Sequence, residues 1–217
     1  MPFRMRCQRE NHAVRHASLG LLVCAIAACG GGGSGSGGGS SAQVCPEATG
    51  TYSVGDRGPA GGWIFYVDGD DSHDFDYLEA APENITDNGG TTVLYTWASS
   101  YGGAFLIGST SEAIGSGEGN TQRVADALTN DGQSNRAAQR TLAYEHHGCT
   151  WFLPSKDELN LMYVNLHQAG LGDFPGGFYW SSSEGAADGA WAQAMTIGAQ
   201  QSQLKANANQ IRAARAF

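Results

Sequence analysis

Twelve consecutive residues, Gly30 to Ser41, are all glycine or serine. No side chain in that run can bury surface or restrict the backbone, so it cannot belong to a packed core. The run divides the chain, and cooperative folding is expected only after it, over residues 44–217. A flexible linker of this composition has an end-to-end distance of roughly 17–21 Å by random-coil scaling. The length that follows suits one sizeable core. Neither a second domain nor an internal repeat shows in it.

What precedes the run reads as an export signal. Over residues 1–28, Arg4, Arg6, Arg9 and Arg15 make a basic leader, and an apolar stretch from Ala17 to Ala28 follows. A stretch of that length is too short for a transmembrane helix, which needs about 20 residues. Ile26-Ala27-Ala28-Cys29 resembles a bacterial lipobox. The resemblance implies cleavage before Cys29 and a lipid on its sulfur, so residues 29–43 become a lipidated cysteine plus linker. An ordinary signal peptide cut nearby is the alternative. Gly30 in place of an acidic residue points, by analogy with lipoprotein sorting in Gram-negative hosts, to the outer membrane. The expected location is the bacterial cell envelope, facing the surface or the periplasm, with the membrane as a partner through Cys29.

Charge narrows the classes further. The chain carries a formal charge of −9, and its only acid before the glycine run is Glu10. The part after that run holds eight basic against twenty acidic side chains. Such a surface repels nucleic acid, which is excluded as a partner. Of the five cysteines, Cys7 and Cys24 leave with the signal and Cys29 carries the lipid. Cys45 and Cys149 remain. In an oxidising compartment they point to a disulfide closing a loop of about 100 residues, worth about 4–5 kcal/mol in the chain-entropy model. Two unpaired thiols are the alternative.

The pattern of elements is α+β. Gly61-Gly62 opens a strand over Trp63–Val67, Tyr77–Ala81 is a second strand stopped by Pro82, and Thr91–Trp97 is a third. Asn120 is read as the cap of a helix over Thr121–Leu128. A second helix is expected to begin at Ser134 or Asn135 and run through Tyr144. The strongest helix signal follows Ser155, where Ser155 and Glu158 form a capping box. Leu159, Met162, Tyr163 and Leu166 then recur at helical spacing, and Gly170 ends the run. Strand-like segments follow around Phe178–Ser182, Ala190–Thr196, Gln200–Lys205 and Gln210–Phe217.

Six motifs in order carry a family resemblance. They are Val54-Gly55-Asp56-Arg57-Gly58-Pro59-Ala60-Gly61-Gly62, Leu78-Glu79-Ala80-Ala81-Pro82, and Ile114-Gly115-Ser116-Gly117 with Asn120-Thr121. The others are Trp151 through Leu159, Tyr179 through Glu184, and Arg212 with Arg215-Ala216-Phe217. Together they resemble the C-terminal domain of a Legionella collagen-like adhesin, the Lcl C-terminal domain family, over about residues 54–217. The chain departs from that pattern at His146-His147-Gly148-Cys149, where the family more often has a Gly-Tyr-Ser-Asp-like turn. The resemblance implies a single C-type-lectin-like domain over residues 44–217, with short twisted antiparallel strands and two to three helices. It also implies secretion or surface exposure, with adhesion as a use.

Candidate site residues come from composition and context. Trp151, Tyr179, Trp180 and Trp191 offer faces on which a sugar can stack, but tryptophan in strands is mostly core, and Trp151, Trp180 and Trp191 are read so. Tyr95, Trp97 and Tyr101 lie among glycine and serine and are read as the exposed ligand-binding aromatics. The acidic segment from Asp68 to Asp76 places Asp68, Asp70, Asp71 and Asp74 close together as weak Ca²⁺ candidates, without the spacing of an EF-hand loop. A solvated acidic loop is the simpler reading, and no cofactor is expected. Gly115-Ser116-Gly117-Glu118-Gly119 lacks the Lys-Ser/Thr of a phosphate-binding P-loop and is read as a lead into a helix. Alternation puts Arg212 and Arg215 on opposite faces, one in solvent and the other paired with Glu158, Asp157 or Glu184. The histidines His73, His146, His147 and His167 have no nucleophile context. The functional expectation is a lipid-anchored envelope protein that displays a non-catalytic domain for a glycan or protein ligand. The alternatives are a structural lipoprotein without a dedicated ligand and a cryptic enzyme on a formylglycine-generating-enzyme-like fold.

Overall fold

The computed structural model describes residues 43–86, 90–99 and 105–217. Among these described residues, eight short strands and three α-helices form an α+β arrangement with three antiparallel sheets. In the first sheet β1 (Trp63–Val67), β2 (Tyr77–Ala80) and β8 (Ala214–Ala216) lie in the order β1-β2-β8. The second joins β3 (Tyr95–Thr96) to β7 (Ala208–Asn209). The third is β4 (Phe178–Glu184), β5 (Gly189–Ala194) and β6 (Gln200–Leu204) in sequence order. Isolated bridges join Phe152 to Ala214 of β8 and Gln210, next to β7, to Tyr179 of β4.

Local chemistry explains most of the elements. Ile64 pairs with Glu79 and Tyr66 with Leu78, so Phe65 is the extra residue of a β-bulge. The bulge lets the consecutive side chains Ile64 and Phe65 both be buried, which strict alternation would forbid. Helix α3 (Lys156–Met162) starts as the capping box predicts, with Ser155 accepting from the Glu158 N–H. It continues as a π-helical turn over Tyr163–His167, and Leu159, Met162 and Leu166 enter the core.

The other two helices depart from expectation. Helix α1 covers Gly117–Asn130 with Ser116 as its N-cap. Asn120 therefore lies inside the helix. Its amide accepts from the Ser111 N–H at 2.9 Å and donates to the Ser111 carbonyl at 2.6 Å, fastening the incoming loop. Helix α2 is only Ala137–Leu142, beginning after Arg136. The third predicted strand shrinks to two residues, because Trp97 and Ala98 donate their N–H groups to the Lys205 carbonyl instead of extending the ladder.

Two buried clusters result. One gathers Trp97, Trp151, Trp180, Val124, Leu128 and Ile211, the other Phe65, Leu78, Leu159, Met162, Tyr179 and Met195. The Cys45–Cys149 disulfide is formed, with a sequence separation of 104. It fixes the start of the domain beside Trp151, and a loop of that length contributes about 4–5 kcal/mol in the chain-entropy model. Among the described residues, no helix is long and apolar enough to cross a membrane.

Candidate binding surface and the buried charges behind it

The aromatic candidates are not where composition placed them. Trp97 is 0% exposed; its indole N–H donates to the Ser181 carbonyl at 2.9 Å, and the Lys205 ammonium lies 4.8 Å from its ring centre. Tyr95 is buried too, beneath the Arg140 guanidinium at 5.7 Å, and its carbonyl accepts from the Trp180 indole at 2.7 Å. Tyr101 and Cys29 lie outside the described residues. The glycine- and serine-rich context misled, because Trp97 belongs to a segment laid over the third sheet. Trp151 and Trp180 are core, as expected, whereas Trp191 is only half-buried under the Lys156 ammonium at 3.9 Å.

Next to Trp97 the chain builds a charged anchor. Glu184 accepts from the Ile107 N–H at 2.9 Å and the Gly108 N–H at 2.7 Å, and it pairs with the Lys205 ammonium. Lys205 also donates to the Phe105 and Ala187 carbonyls, and burial lowers its pKa. Beside this anchor a cavity of about 60 Å³ is lined by Ser99, Phe105, Ala187, Asp188, Leu204 and Lys205. Its walls are mostly apolar, with Lys205 and Asp188 as the charged residues of the lining.

The acidic segment is not a convergent cation site. Asp68 turns inward and accepts from the His73 N–H at 2.8 Å, the Ser72 hydroxyl at 3.0 Å and the Tyr66 hydroxyl at 3.2 Å. Burial works to raise its pKa, but these donors hold it down at about 2. Asp70, Asp71 and Asp74 point to solvent. Among the described residues, no group of three or more His, Cys, Asp or Glu side chains is placed to hold a metal ion.

The two terminal arginines are both buried, correcting the expectation of one in solvent. Arg215 faces Glu79 across β8 and β2, with 3.6 Å between nitrogen and oxygen. Arg212 precedes β8, where no alternation applies. Its guanidinium donates to Asn84 at 2.8 Å and to the carbonyls of Ala81, Gly172 and Asp173. Asn84 in turn donates to the Tyr179 hydroxyl and to Gln210. None of the three acids expected as partners is used.

Two glycine turns emerge as cradles for carboxylates. Glu79 accepts from the Gly62 N–H at 2.6 Å and the Ala60 N–H at 3.4 Å. Glu158 accepts from Ser155 at 2.7 Å, Gly115 at 2.8 Å and Gly117 at 3.3 Å. A Cβ on Gly62 would stand 2.1 Å from the Ala80 carbonyl oxygen, and one on Gly117 would stand 2.2 Å from Glu158 Oε2. Glycine is therefore required at both positions by close approach. Burial raises both carboxyls, Glu158 to about 7, against the N–H groups that favour the charged form. The Gly115–Gly117 amides that resemble a phosphate cradle are thus filled by the protein's own side chain. The pairing was not foreseen, because each glutamate and the glycines that cradle it stand in different motifs.

With this geometry in hand, the chain was compared with known proteins: no family model matches it, and no curated protein matches it.

Proposed function

We propose that the chain is a lipid-anchored cell-envelope protein that displays a non-catalytic, C-type-lectin-like domain for binding or adhesion to a glycan or protein ligand. The resemblance of its six motifs to the Lcl C-terminal domain supports this, as do the lipobox-like Ile26–Cys29 and the glycine-serine linker. The single observation that carries it is how the motif charges are used. Glu79, Glu158, Glu184, Arg212 and Arg215 each hold a turn or a chain crossing in place. Residues engaged in this way make a rigid scaffold that positions loops, which is the usual division of labour in recognition domains. The surface of residues 105–110, held by Glu184 at Ile107 and Gly108 and by Lys205 at Phe105, is the proposed ligand face.

A glycan and matrix-protein array, run with and without a calcium chelator, tests the reading. Retention of a defined ligand class is expected, unchanged by the chelator. Silence across the array would favour a structural lipoprotein instead. Fatty-acid labelling that disappears in Cys29→Ser tests the anchor, and persistence of the label would refute it.

A further inference from the structure

The sheets do not close their edges alike. Along β1, the Gly55 N–H donates to the Ile64 carbonyl, the Ile64 N–H donates to Asp56, and the Asn165 amide covers the Phe65 carbonyl. Phe152 exchanges both main-chain bonds with Ala214 of β8. Gln210 closes β4, accepting from the Trp180 N–H and donating to the Phe178 carbonyl. Strands β3 and β7 are two residues each. That leaves β6, the outer strand of the third sheet.

Which groups of β6 face outward follows from its ladder. Ala199 accepts from the Ala194 N–H, and the Lys205 N–H donates to Asp188, so both turn toward β5. The register between them runs without a bulge, from Gln200 opposite Gln193 to Leu204 opposite Gly189. Alternation in an antiparallel pair then points the N–H and C=O groups of Gln200, Ser202 and Leu204 away from β5. The Leu204 carbonyl accepts from the Asn207 N–H in the turn that follows. The remaining outward groups have no hydrogen-bond partner among the described residues, and Gln201, Ser202 and Leu204 are exposed. Free edges are ordinarily guarded by a charged side chain, a proline, a bulge or a covering loop. β6 reads Gln-Gln-Ser-Gln-Leu and has none of these among the described residues. The whole hairpin from Gly189 to Leu204 carries no charged side chain, in a domain with eight basic and twenty acidic ones. A surface of that balance repels a copy of itself, and this hairpin does not.

We propose that β6 is a docking edge for a second copy of this chain, paired antiparallel about a two-fold axis at Ser202. The strand is complementary to itself in that register. Ser202 meets the second copy's Ser202 and exchanges both main-chain bonds with it, and Gln200 meets the second copy's Leu204 on either side. Gln201 then faces the second copy's Gln203, so no like charges are opposed. Each copy has one such edge and pairing consumes it, so the assembly closes at a dimer. The use of that dimer, presenting two ligand faces together, rests on the binding reading above; the pairing itself does not.

Sedimentation velocity on the full chain, from about 1 to 500 µM, measures the pairing. A five-residue strand makes a small interface, so a reversible dimer with a Kd of about 10–100 µM is expected. Amide exchange at Gln200, Ser202 and Leu204 should slow as concentration rises. Ser202→Pro removes the central donor but no bond to β5, as an edge strand tolerates, and should weaken the dimer about tenfold or more. Gln201→Glu is nearly isosteric and sets a carboxylate on each side of the axis, which should weaken it about three- to tenfold. Thermal melting checks that each variant folds, and if the proline variant does not, the glutamate variant decides. Every sample keeps residues 1–43, so association through the leader is common to all, and the difference between samples reports β6. A chain that stays monomeric throughout overturns the proposal, as does association of any size that the folded variants leave unchanged. If the ligand array is silent while pairing still depends on β6, the display reading fails and the dimer remains.

Discussion

The two glycine cradles hold the same group by different electrostatics. Glu79 sits in the Gly58–Gly62 turn with Arg215 opposite it in the β-ladder, so a buried cation shares the cost of its burial. Glu158 has no cation within ion-pair distance among the described residues. Its carboxylate instead bridges the first turns of α1 and α3, accepting from Gly117 at one and Ser155 at the other. Helix N-termini carry partial positive charge and unsatisfied N–H groups, and here they take the place of a counter-ion. The difference predicts how each cradle fails. Breaking the first strands a full charge, whereas breaking the second strands only backbone donors.

The largest effect is therefore expected from Glu79→Ala. It leaves Arg215 buried without its partner, a situation that costs about 3–5 kcal/mol. Urea denaturation measures it, and a double variant Glu79→Leu with Arg215→Met should recover most of the loss. If the double variant is no more stable than the single one, the ion pair is not what matters in that cradle. Gly117→Ala comes next. The new methyl meets Glu158 Oε2 and the Phe152 ring, at 2.2 and 2.8 Å before relaxation. Overpacking of this kind costs about 1–3 kcal/mol. A cost near zero would mean that the Glu158 side chain swings away freely, contrary to a tight cradle.

How much of this was legible beforehand varies with the range of the interaction. The capping box at Ser155 and the strand Trp63–Val67 depend on neighbours in sequence, and both form as read. The disulfide partners were identified by elimination among five cysteines. The burial of Trp97 was not readable, because it depends on Ser181, 84 residues away in sequence, and on the still more distant Lys205. Arg212 was misassigned for a related reason: its partners are backbone carbonyls and Asn84, 128 residues away, and backbone groups leave no trace in composition. The cradles lie in between. Each joins a glycine turn and a glutamate that sequence shows separately, but nothing local says that they meet.

The pH dependence separates the cradles with an effect of similar size. Glu158 is raised to about 7 in the fold from an ordinary value near 4.5, chiefly by burial, with its N–H donors and His73 opposing. The folded state therefore binds a proton more tightly than the unfolded chain. Its contribution is fully present below about pH 4.5 and is lost as pH rises through about 7. On linkage grounds, the full loss is on the order of 3 kcal/mol. Glu79 is raised in the same direction, so the wild type alone does not identify the source. Glu158→Gln cannot titrate and should flatten most of the slope between pH 5 and 8. Urea midpoints across that range decide it, and an unchanged slope in the variant would assign the effect to Glu79.

The smallest expected change comes from a carboxylate held by neither device. Asp68 accepts from the His73 N–H and the Ser72 hydroxyl in the loop after β1, and from the hydroxyl of Tyr66 in β1 itself. Burial acts to raise it, yet these local donors bring it to about 2, below its ordinary value of 3.8. The sign is opposite to that of Glu158. Its contribution is present above about pH 4 and is lost as pH falls toward 2. Asp68→Asn keeps an acceptor for the His73 N–H but removes the charge, so the thermal midpoint at pH 7 should fall by only a few degrees. Below about pH 2 the variant and the wild type should converge, since the native carboxylate is then protonated. Where Glu158 loosens the fold as pH rises toward neutrality, Asp68 loosens it in acid, because its local donors outweigh the burial that acts against its charge. A variant that stays as far below the wild type at pH 2 as at pH 7 would show that Asp68 acts through loop packing rather than through its charge.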